Sequence, residues 1–224
     1  MQLSNDTVEV LKNFSTINPN LVIEPGQKVK TISESKTVMA SAEIVEDFPE
    51  QVGIYDLNEF LSVLNLVETP DVDFKGKFMN ISGGSQFAQQ VRYYYSNPEI
   101  LTTPNKDIQM PDVDVGVTLS EDIIGKLKQA ASVLGHSDLS FVGKEGSVEA
   151  VVHDAKDATA NVFMLNVESG NTVTQEFNFD LNISNLKLIP GDYYVSLSSK
   201  AISHWQNLNF PVEYFVALES TTKF

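Results

Sequence analysis

The sequence lacks several features on which whole classes of protein depend. It contains no cysteine among its 224 residues, which excludes disulfide scaffolds, thiol nucleophiles and cysteine-ligated zinc. No stretch approaches the roughly 18 apolar residues of a membrane-spanning helix. The first ten residues have neither a basic start nor an apolar run. We therefore expect a soluble, intracellular protein.

Positive charge is scarce as well. Fifteen basic residues face thirty acidic ones, which gives a net charge of −15, and Arg92 is the one arginine. Proteins that bind DNA by broad phosphate neutralisation, or by reading base edges, are usually basic and rich in arginine. The composition excludes a conventional DNA-binding module, so any role on nucleic acid has to work with few cations.

The motifs of common enzymes are also missing. The sequence holds no G-x-x-x-x-G-K-[ST], H-E-x-x-H or G-x-S-x-G pattern, and its three histidines stand apart. The pairs Asp71/Asp73 and Asp112/Asp114 could each place two carboxylates on one strand face, but neither has a third acidic ligand or a glycine turn nearby. We predict that the protein is not an enzyme and has no metal and no cofactor, although catalytic residues can converge from distant segments.

An internal repeat is the strongest feature that the sequence does contain. Segment 3–12 recurs as segment 119–128, with Leu, Ser, Asp, Leu and Lys matching at one offset of 116 residues. Segment 55–58 is echoed by segment 179–182. The two matches keep the same order in both halves, which predicts a duplicated domain.

The boundary between the two copies is predicted in a proline-rich stretch. Pro98, Pro104 and Pro111 and the polar residues among them interrupt regular structure there. We therefore place domain 1, including this connector, at residues 1–110 and domain 2 at residues 111–224.

Apolar residues at helical spacing predict two helices in each half. In the first half, one helix follows the N-cap Ser4 and a second starts at Asp56. In the second half, Ser120 caps a helix that ends near Gly135, and a shorter helix is expected at 182–188. The predicted core stripe of the first helix is Leu3, Thr7, Val10, Leu11 and Phe14. That of the third helix is Ile123, Leu127, Ala130 and Leu134.

The remaining segments are short, rich in Val, Phe, Tyr and Thr, and often alternate, which predicts strands. They cover residues 29–33, 38–45, 89–96, 138–144, 147–153, 161–168, 174–180, 192–199 and 212–220. Each half is therefore an α+β unit, with two helices packed on antiparallel sheet.

Four segments resemble one known family. LKNFSTIN (11–18), GIYDLNEFLSVLNLV (53–67), PGDYYVSL (190–197) and YFVALES (214–220) are similar to the DNA polymerase sliding clamps of T-even bacteriophages. The resemblance follows essentially the whole chain in length and order. It implies the DNA clamp fold, with two similar domains in each subunit and three subunits closing head to tail into a ring.

The function that this resemblance implies is that of a processivity factor in viral DNA replication. A homotrimeric ring would encircle double-stranded DNA without regard to sequence and tether the replicative DNA polymerase. The resemblance further implies loading by a clamp loader ATPase, a link to the transcription machinery, no membrane association and a place in the cytoplasm of the infected bacterial host. A ring holds DNA by topology, so a low affinity for each phosphate suffices and permits sliding.

Lysines on outward helix faces are the candidates for contact with DNA. A hydrated point charge on a flexible stem attracts phosphate without the bidentate grip of arginine. The predicted DNA-facing residues are Lys12, Lys126, Lys128 and Lys187.

Two further sets of residues follow from analogy with the family. Sheet edges readily pair, so we expect a subunit interface between the strand through Val91, Tyr93 and Tyr95 and the strand through Val162 and Met164, unless both are internal strands. The predicted partner pocket contains Ile108 and Met110 on the connector and Phe215 and Leu218 near the C-terminus.

Two other interpretations stay open at this stage. A virion or scaffold protein built from duplicated β-rich domains would equally lack catalytic motifs and have an acidic surface. A metal-dependent hydrolase that uses the scattered acids is the second. Only the placement of lysines on helices favours the clamp over the scaffold.

Overall fold

The computed structural model describes residues 1–104, 106–144, 146–170 and 175–224. The chain divides into two compact units, unit 1 (Met1–Asp107) and unit 2 (Ile108–Phe224). The predicted division, after residue 110, lies in the same proline-rich stretch. In the described chain, no helix combines the length and the apolar character needed to cross a membrane.

The described part of unit 1 forms two α-helices and two antiparallel sheets. In chain order its elements are α1 (Asn5–Ile17), β1 (Leu21–Ile23), β2 (Gly26–Ile32), β3 (Val38–Phe48), β4 (Val52–Ile54), α2 (Leu57–Leu66), β5 (Asp71–Phe74), β6 (Phe78–Gly83), β7 (Gln89–Tyr94) and the 3-10 helix Pro98–Ile100. One sheet has the order β3-β2-β1-β4 and the other has the order β5-β6-β7.

Among its described residues, unit 2 forms one α-helix and an eight-stranded antiparallel sheet. Its elements are β8 (Val115–Leu119), α3 (Glu121–Leu134), β9 (Asp138–Lys144), β10 (Ser147–His153), β11 (Phe163–Ser169), β12 (Phe177–Asn182), the 3-10 helix Ile183–Asn185, β13 (Tyr193–Ser198), β14 (Ile202–Asn207) and β15 (Val212–Ala217). The strand order is β12-β9-β10-β11-β8-β13-β14-β15. The α+β prediction is therefore confirmed.

Both predicted helices of unit 1 form where their caps predict. Ser4 Oγ accepts a hydrogen bond from the Thr7 amide at 3.2 Å, and Asp56 Oδ1 accepts one from the Asn58 amide at 2.9 Å. Leu3 precedes the first cap and is only half-buried. The rest of the predicted α1 stripe is confirmed by burial of Thr7, Val10, Leu11 and Phe14.

The core stripe of α3 differs from the prediction. Ser120 caps the helix and Gly135 ends it in the left-handed conformation. The buried residues, however, are Ile124, Leu127 and Ala131. The predicted Ile123, Ala130 and Leu134 are half-buried, so the helix is rotated by about one residue relative to the prediction. Because residue i+4 shares a helix face with residue i, this rotation carries Lys128 toward the core beside Ile124.

The predicted second helix of unit 2 is wrong. The helical structure described within residues 182–188 is the 3-10 helix Ile183–Asn185, and its N-cap residue Asn182 accepts hydrogen bonds through Oδ1 from the Ser184 amide and hydroxyl. Such local bonds compete with α-helix formation. Of the buried apolar residues Ile183, Leu186 and Ile189, only Ile183 lies in the 3-10 helix, so this stretch buries its side chains from irregular backbone.

All nine predicted strands correspond to observed strands, although residue 174 lies outside the described residues. The strands that the pattern did not predict are β1, β4, β5, β6, β8 and β14. Most are short, and β4 has three consecutive buried residues, so it lacks the alternation by which a half-buried strand is recognised.

Candidate functional site

The four predicted DNA-facing lysines have different surroundings. Lys12 lies on the exposed face of α1, with its Nζ 4.0 Å from the Glu9 carboxylate one turn earlier and both side chains about half exposed (53% and 54%). An exposed pair of this kind contributes little free energy. Lys12 is therefore able to attract an anion from solution.

Lys128 occupies the position of Lys12 in the repeat but is half-buried. It lines a cavity of about 170 Å³ together with Glu121, Ile189 and Tyr193. Burial lowers the pKa of the Lys128 ammonium. The prediction that Lys128 points away from the core is thus wrong in part, because the rotation of α3 turns its aliphatic stem inward.

Lys187 is exposed but does not lie on a helix. It follows the 3-10 helix, and its amide donates a hydrogen bond to the Asn185 carbonyl at 2.9 Å. Lys126, in contrast, is exposed on α3, as predicted. Whether these side chains face DNA stays a prediction.

The strand β7 ends the smaller sheet of unit 1. It pairs with β6 on one side, and within the described residues no strand is its neighbour on the other side. Tyr93 points toward α2, where its ring meets that of Phe60 at 5.2 Å in an edge-to-face contact. The alternate residues, Arg92 and Tyr94, are exposed. The open backbone edge is the part of this strand that another strand could join.

Neighbouring contacts hold the aromatic side chains of this edge in place. The Arg92 guanidinium lies 4.7 Å from the centroid of the Phe78 ring, a cation–π contact. The Tyr95 hydroxyl donates a hydrogen bond to Glu50 Oε1 at 2.9 Å. Tyr95 follows β7 and is half-buried, so of the predicted interface residues only Val91 and Tyr93 are in the strand itself.

Unit 2 also has an open strand edge, along most of β11. This strand pairs with β10 from Phe163 to Val167 but with β8 only at Glu168 and Ser169. Among the residues that the structure describes, the β8-facing side of Phe163–Val167 has no strand partner. Met164 lies on this segment, and Val162 immediately precedes it.

An apolar groove accompanies this edge. It measures about 340 Å³ and lies between the part of α3 from Lys126 to Leu134 and the start of β11. Val133, Val162 and Met164 at or near it are 76%, 48% and 57% exposed. Its lining residues are Lys126, Gln129, Ala130, Val133, Leu134, Val162 and Phe163. Sequence reasoning missed Val133, since an apolar residue on a helix is ordinarily assigned to the core.

The residues of the predicted partner pocket fall into two groups. Ile108 is 37% exposed and Met110 is half-buried, whereas Phe215 and Leu218 are only 6% and 7% exposed. The Phe215 ring stacks on that of His204, with the centroids 4.4 Å apart. The surface offered by this set therefore belongs to the connector residues, and the pocket stays a prediction.

A serine, a histidine and an aspartate form a hydrogen-bonded chain across β12, β9 and β10. Ser140 Oγ donates to Asp180 Oδ1 at 2.5 Å, and His153 Nε2 lies 2.7 Å from Ser140 Oγ. Because the serine proton is directed at Asp180, Nε2 has to be the donor in the second bond. Within the described chain, no group of three His, Asp or Glu residues could hold a metal ion.

Comparison with known proteins identifies the family. The family model described as DNA polymerase processivity factor matches residues 4–86, and that of the gp45 sliding clamp, C terminal, matches residues 117–220. The sliding clamp of Vibrio phage KVP40 is 32% identical to this chain over 98% of the chain and 100% of its own length. The sliding clamp of Escherichia phage RB69 is 27% identical, with 98% and 97% covered. That of Enterobacteria phage T4 is 28% identical, with 89% and 88% covered.

Solved structures agree on the fold. Proliferating cellular nuclear antigen from Entamoeba histolytica matches with a TM-score of 0.68 at 14% identity, over 96% of this chain and 95% of its own. The PCNA2–PCNA3 complex of Sulfolobus tokodaii matches with a TM-score of 0.67 at 12% identity, over 98% and 99%. The clamp fold is thereby confirmed, and the virion or scaffold interpretation is not favoured. The chain belongs to the family of T4-type phage sliding clamps, the DNA polymerase processivity factors.

Proposed function

We propose that three copies of this chain close head to tail into a ring around duplex DNA and tether the DNA polymerase without catalysing a reaction. The observation that carries the proposal is the pair of open strand edges, β7 in unit 1 and Phe163–Val167 in unit 2. Exposed edges of this kind promote uncontrolled association unless they are covered. Pairing the edge of one copy with the other edge of the next copy covers both.

The two edges are different surfaces, which fixes the type of assembly. A contact between unlike patches is heterologous, and it produces either a closed ring or an open filament. Closure into a ring of three is what the resemblance to phage clamps implies. The predicted interface residues Val91, Tyr93, Tyr95, Val162 and Met164 lie on or beside these edges.

A low affinity for DNA is consistent with this assembly. On α1, Lys12 lies beside Glu9, and the net charge of the whole chain is −15. Affinity for phosphates is therefore low, and retention has to come from encirclement. We assign Lys12, Lys128 and Lys187 to the few transient contacts that keep the duplex centred in the ring.

The hydrogen-bonded chain of Ser140, His153 and Asp180 supports a non-enzymatic role. In a catalytic triad the histidine accepts the serine proton and the aspartate orients the histidine. Here the aspartate accepts from the serine, so the imidazole is not placed to act as the base. Ser140 is also only 2% exposed, out of reach of a substrate.

The partners follow from the same assembly. A clamp loader ATPase is needed to open a closed ring, and polymerase and transcription partners would dock near Ile108 and Met110, which present the accessible surface of the predicted pocket. We place the protein in the cytoplasm of the infected bacterial host, where the phage DNA is replicated.

Two measurements test the ring. Sedimentation equilibrium should give a mass of about three times 24.8 kDa. After loading, the clamp should stay on closed circular duplex DNA and be lost within seconds to minutes when one cut makes the circle linear. A monomer at micromolar concentration, or equal retention on both DNAs, would contradict the proposal.

A further inference from the structure

We infer that Lys126 binds the neighbouring subunit and not DNA, forming an ion pair with Glu59 of the next copy. This inference rests on the ring proposed above. It assigns a register to the subunit interface and removes Lys126 from the DNA-facing set.

The surroundings of Lys126 are those of a protein interface. Its side chain lines the groove that also contains Val133, Val162 and Phe163, and Val133 is 76% exposed. A phosphate backbone offers no apolar surface to cover these valines, whereas a second protein does. Of the residues that the structure describes, no carboxylate of the same chain forms an ion pair with Lys126.

Glu59 has the matching position in unit 1. It is exposed in the first turn of α2, next to Phe60, whose ring contacts Tyr93 on the edge strand β7. Burial, followed by the charges of Glu59 and Asp56, raises the pKa of Tyr93 to about 12. The Glu59 carboxylate therefore lies close enough to the helix-facing side of this edge for its charge to be felt there.

The direction of strand addition decides which residues meet. Every strand pair described within either unit is antiparallel. If β7 also joins the open edge of β11 in the antiparallel direction, Tyr93 near the end of β7 lies opposite the start of β11. That start is Phe163, at the groove, so the first turn of α2 comes against Lys126.

A parallel addition would bring a different acid to the groove. The start of β7 would then meet the start of β11, and Gln89 would lie near Phe163. The Gln89 side chain accepts a hydrogen bond from the Glu68 amide at 2.8 Å, so Glu68 would be the acid nearest Lys126. The two directions therefore make different predictions for charge reversal.

The ion pair adds specificity to an apolar contact. Val133 and Val162 supply area that any apolar surface could cover, and opposite charges at one end select a single register. The basic member lies in unit 2 and the acidic member in unit 1. Contact between two unit 1 edges, or between two unit 2 edges, would therefore bring like charges together and is disfavoured.

Charge reversal tests this inference. We would make Lys126→Glu, Glu59→Lys and the double variant, with Lys200→Glu in the β13–β14 turn as a matched exposed control. Each single reversal should raise the protein concentration at which the trimer half-dissociates by about tenfold, because it places like charges across the interface. The double variant should half-dissociate at a concentration within about threefold of the wild-type value. The control Lys200→Glu should half-dissociate at the wild-type concentration.

Several outcomes would overturn the inference while leaving the ring intact. One is a dissociation midpoint of Lys126→Glu that equals the wild-type midpoint. A second is rescue of Lys126→Glu by Glu68→Lys and not by Glu59→Lys. A third is loss of circular-DNA retention by Lys126→Glu at concentrations where it is fully trimeric. A wild-type protein that stays monomeric would instead remove the proposed ring itself.

Discussion

The Thr7 hydroxyl, in the first turn of α1, donates a hydrogen bond to the carboxylate of Glu46 on β3. The Ser4 amide donates to the same carboxylate, which is only 8% exposed. A buried charge requires such partners, and the N-terminal end of a helix favours a negative charge. Glu46 therefore anchors the start of α1 to the sheet.

Glu46→Gln should destabilise unit 1. The amide keeps the size of the side chain but loses the charge, and its nitrogen cannot accept either hydrogen bond. Bonds to a charged group contribute about 1–3 kcal/mol, so we expect a loss of about that size in the free energy of unfolding at pH 7. Urea unfolding followed by far-UV circular dichroism measures it, with Glu43→Gln, an exposed acid on the same strand, as the control.

The effect of Glu46 should also depend on pH. Burial by itself would raise the pKa of this carboxyl group, but the hydrogen bonds that it accepts from Thr7, from Ser4 and from its own backbone amide outweigh burial and hold the pKa below the usual 4.5. The stabilisation is therefore complete above pH 4.5 and is lost as the pH falls through the lower folded-state value. The gap between wild type and Glu46→Gln should narrow below pH 4.5, and a gap that widens there would contradict this assignment.

Lys12 and Lys128 should respond differently to the same substitution. Lys128→Glu places a carboxylate in a half-buried cavity that Glu121 already lines, so both desolvation and repulsion act against the folded state. We expect a loss of about 1–2 kcal/mol for Lys128→Glu and less than about 0.5 kcal/mol for the exposed Lys12→Glu. Thermal unfolding of the two variants side by side measures the difference. Equal losses would show that Lys128 is solvated like Lys12.

Local signals in the sequence were sufficient to predict where the three helices α1, α2 and α3 begin. Ser4, Asp56 and Ser120 are followed by apolar residues at helical spacing, and each caps the helix predicted for it. Cap chemistry involves only the next three residues. It therefore does not depend on the rest of the fold.

Features that depend on distant residues were the ones that sequence could not predict. The face that α3 buries depends on the sheet beneath it, so Ile124 and not Ile123 enters the core. Likewise, Val133 and Val162 line one groove beside the part of β11 that precedes its two pairs with β8, Glu168–Thr118 and Ser169–Val117. No local pattern records where a ladder ends, and the groove was therefore missed.

Two exposed lysines should change the affinity for DNA without changing topological retention. Lys12→Gln with Lys187→Gln removes two cations from the proposed DNA-facing set. The slope of log affinity against log salt concentration for a short linear duplex should fall by up to about 0.9 per lysine. Retention on closed circles should be unaffected, because encirclement does not depend on phosphate contacts. Lys36→Gln, in the β2–β3 turn, is the control, and a double variant that leaves closed circles quickly would contradict the topological account.

Two glycines of unit 2 should give opposite results when a side chain is added. A Cβ built on Gly143 would lie 2.1 Å from the Phe177 ring, whereas one built on Gly125 in α3 meets no atom within 4 Å. Phe177 is directly opposite Gly143 in the β9–β12 ladder and packs on Phe179 at 5.4 Å. Gly143→Val should therefore displace this ring and cost about 1–3 kcal/mol, while Gly125→Ala should add about 0.5–1 kcal/mol by restricting the unfolded chain.

Trp205 provides the measurement for both variants. It is the one tryptophan of the chain, it is fully buried, and its ring lies 6.2 Å from that of Phe141. Its fluorescence therefore reports the unfolding of unit 2 in urea. If Gly143→Val kept the wild-type midpoint, the Phe177 ring would have another position available at no cost. The close packing across β9 and β12 would then not stabilise this end of the sheet.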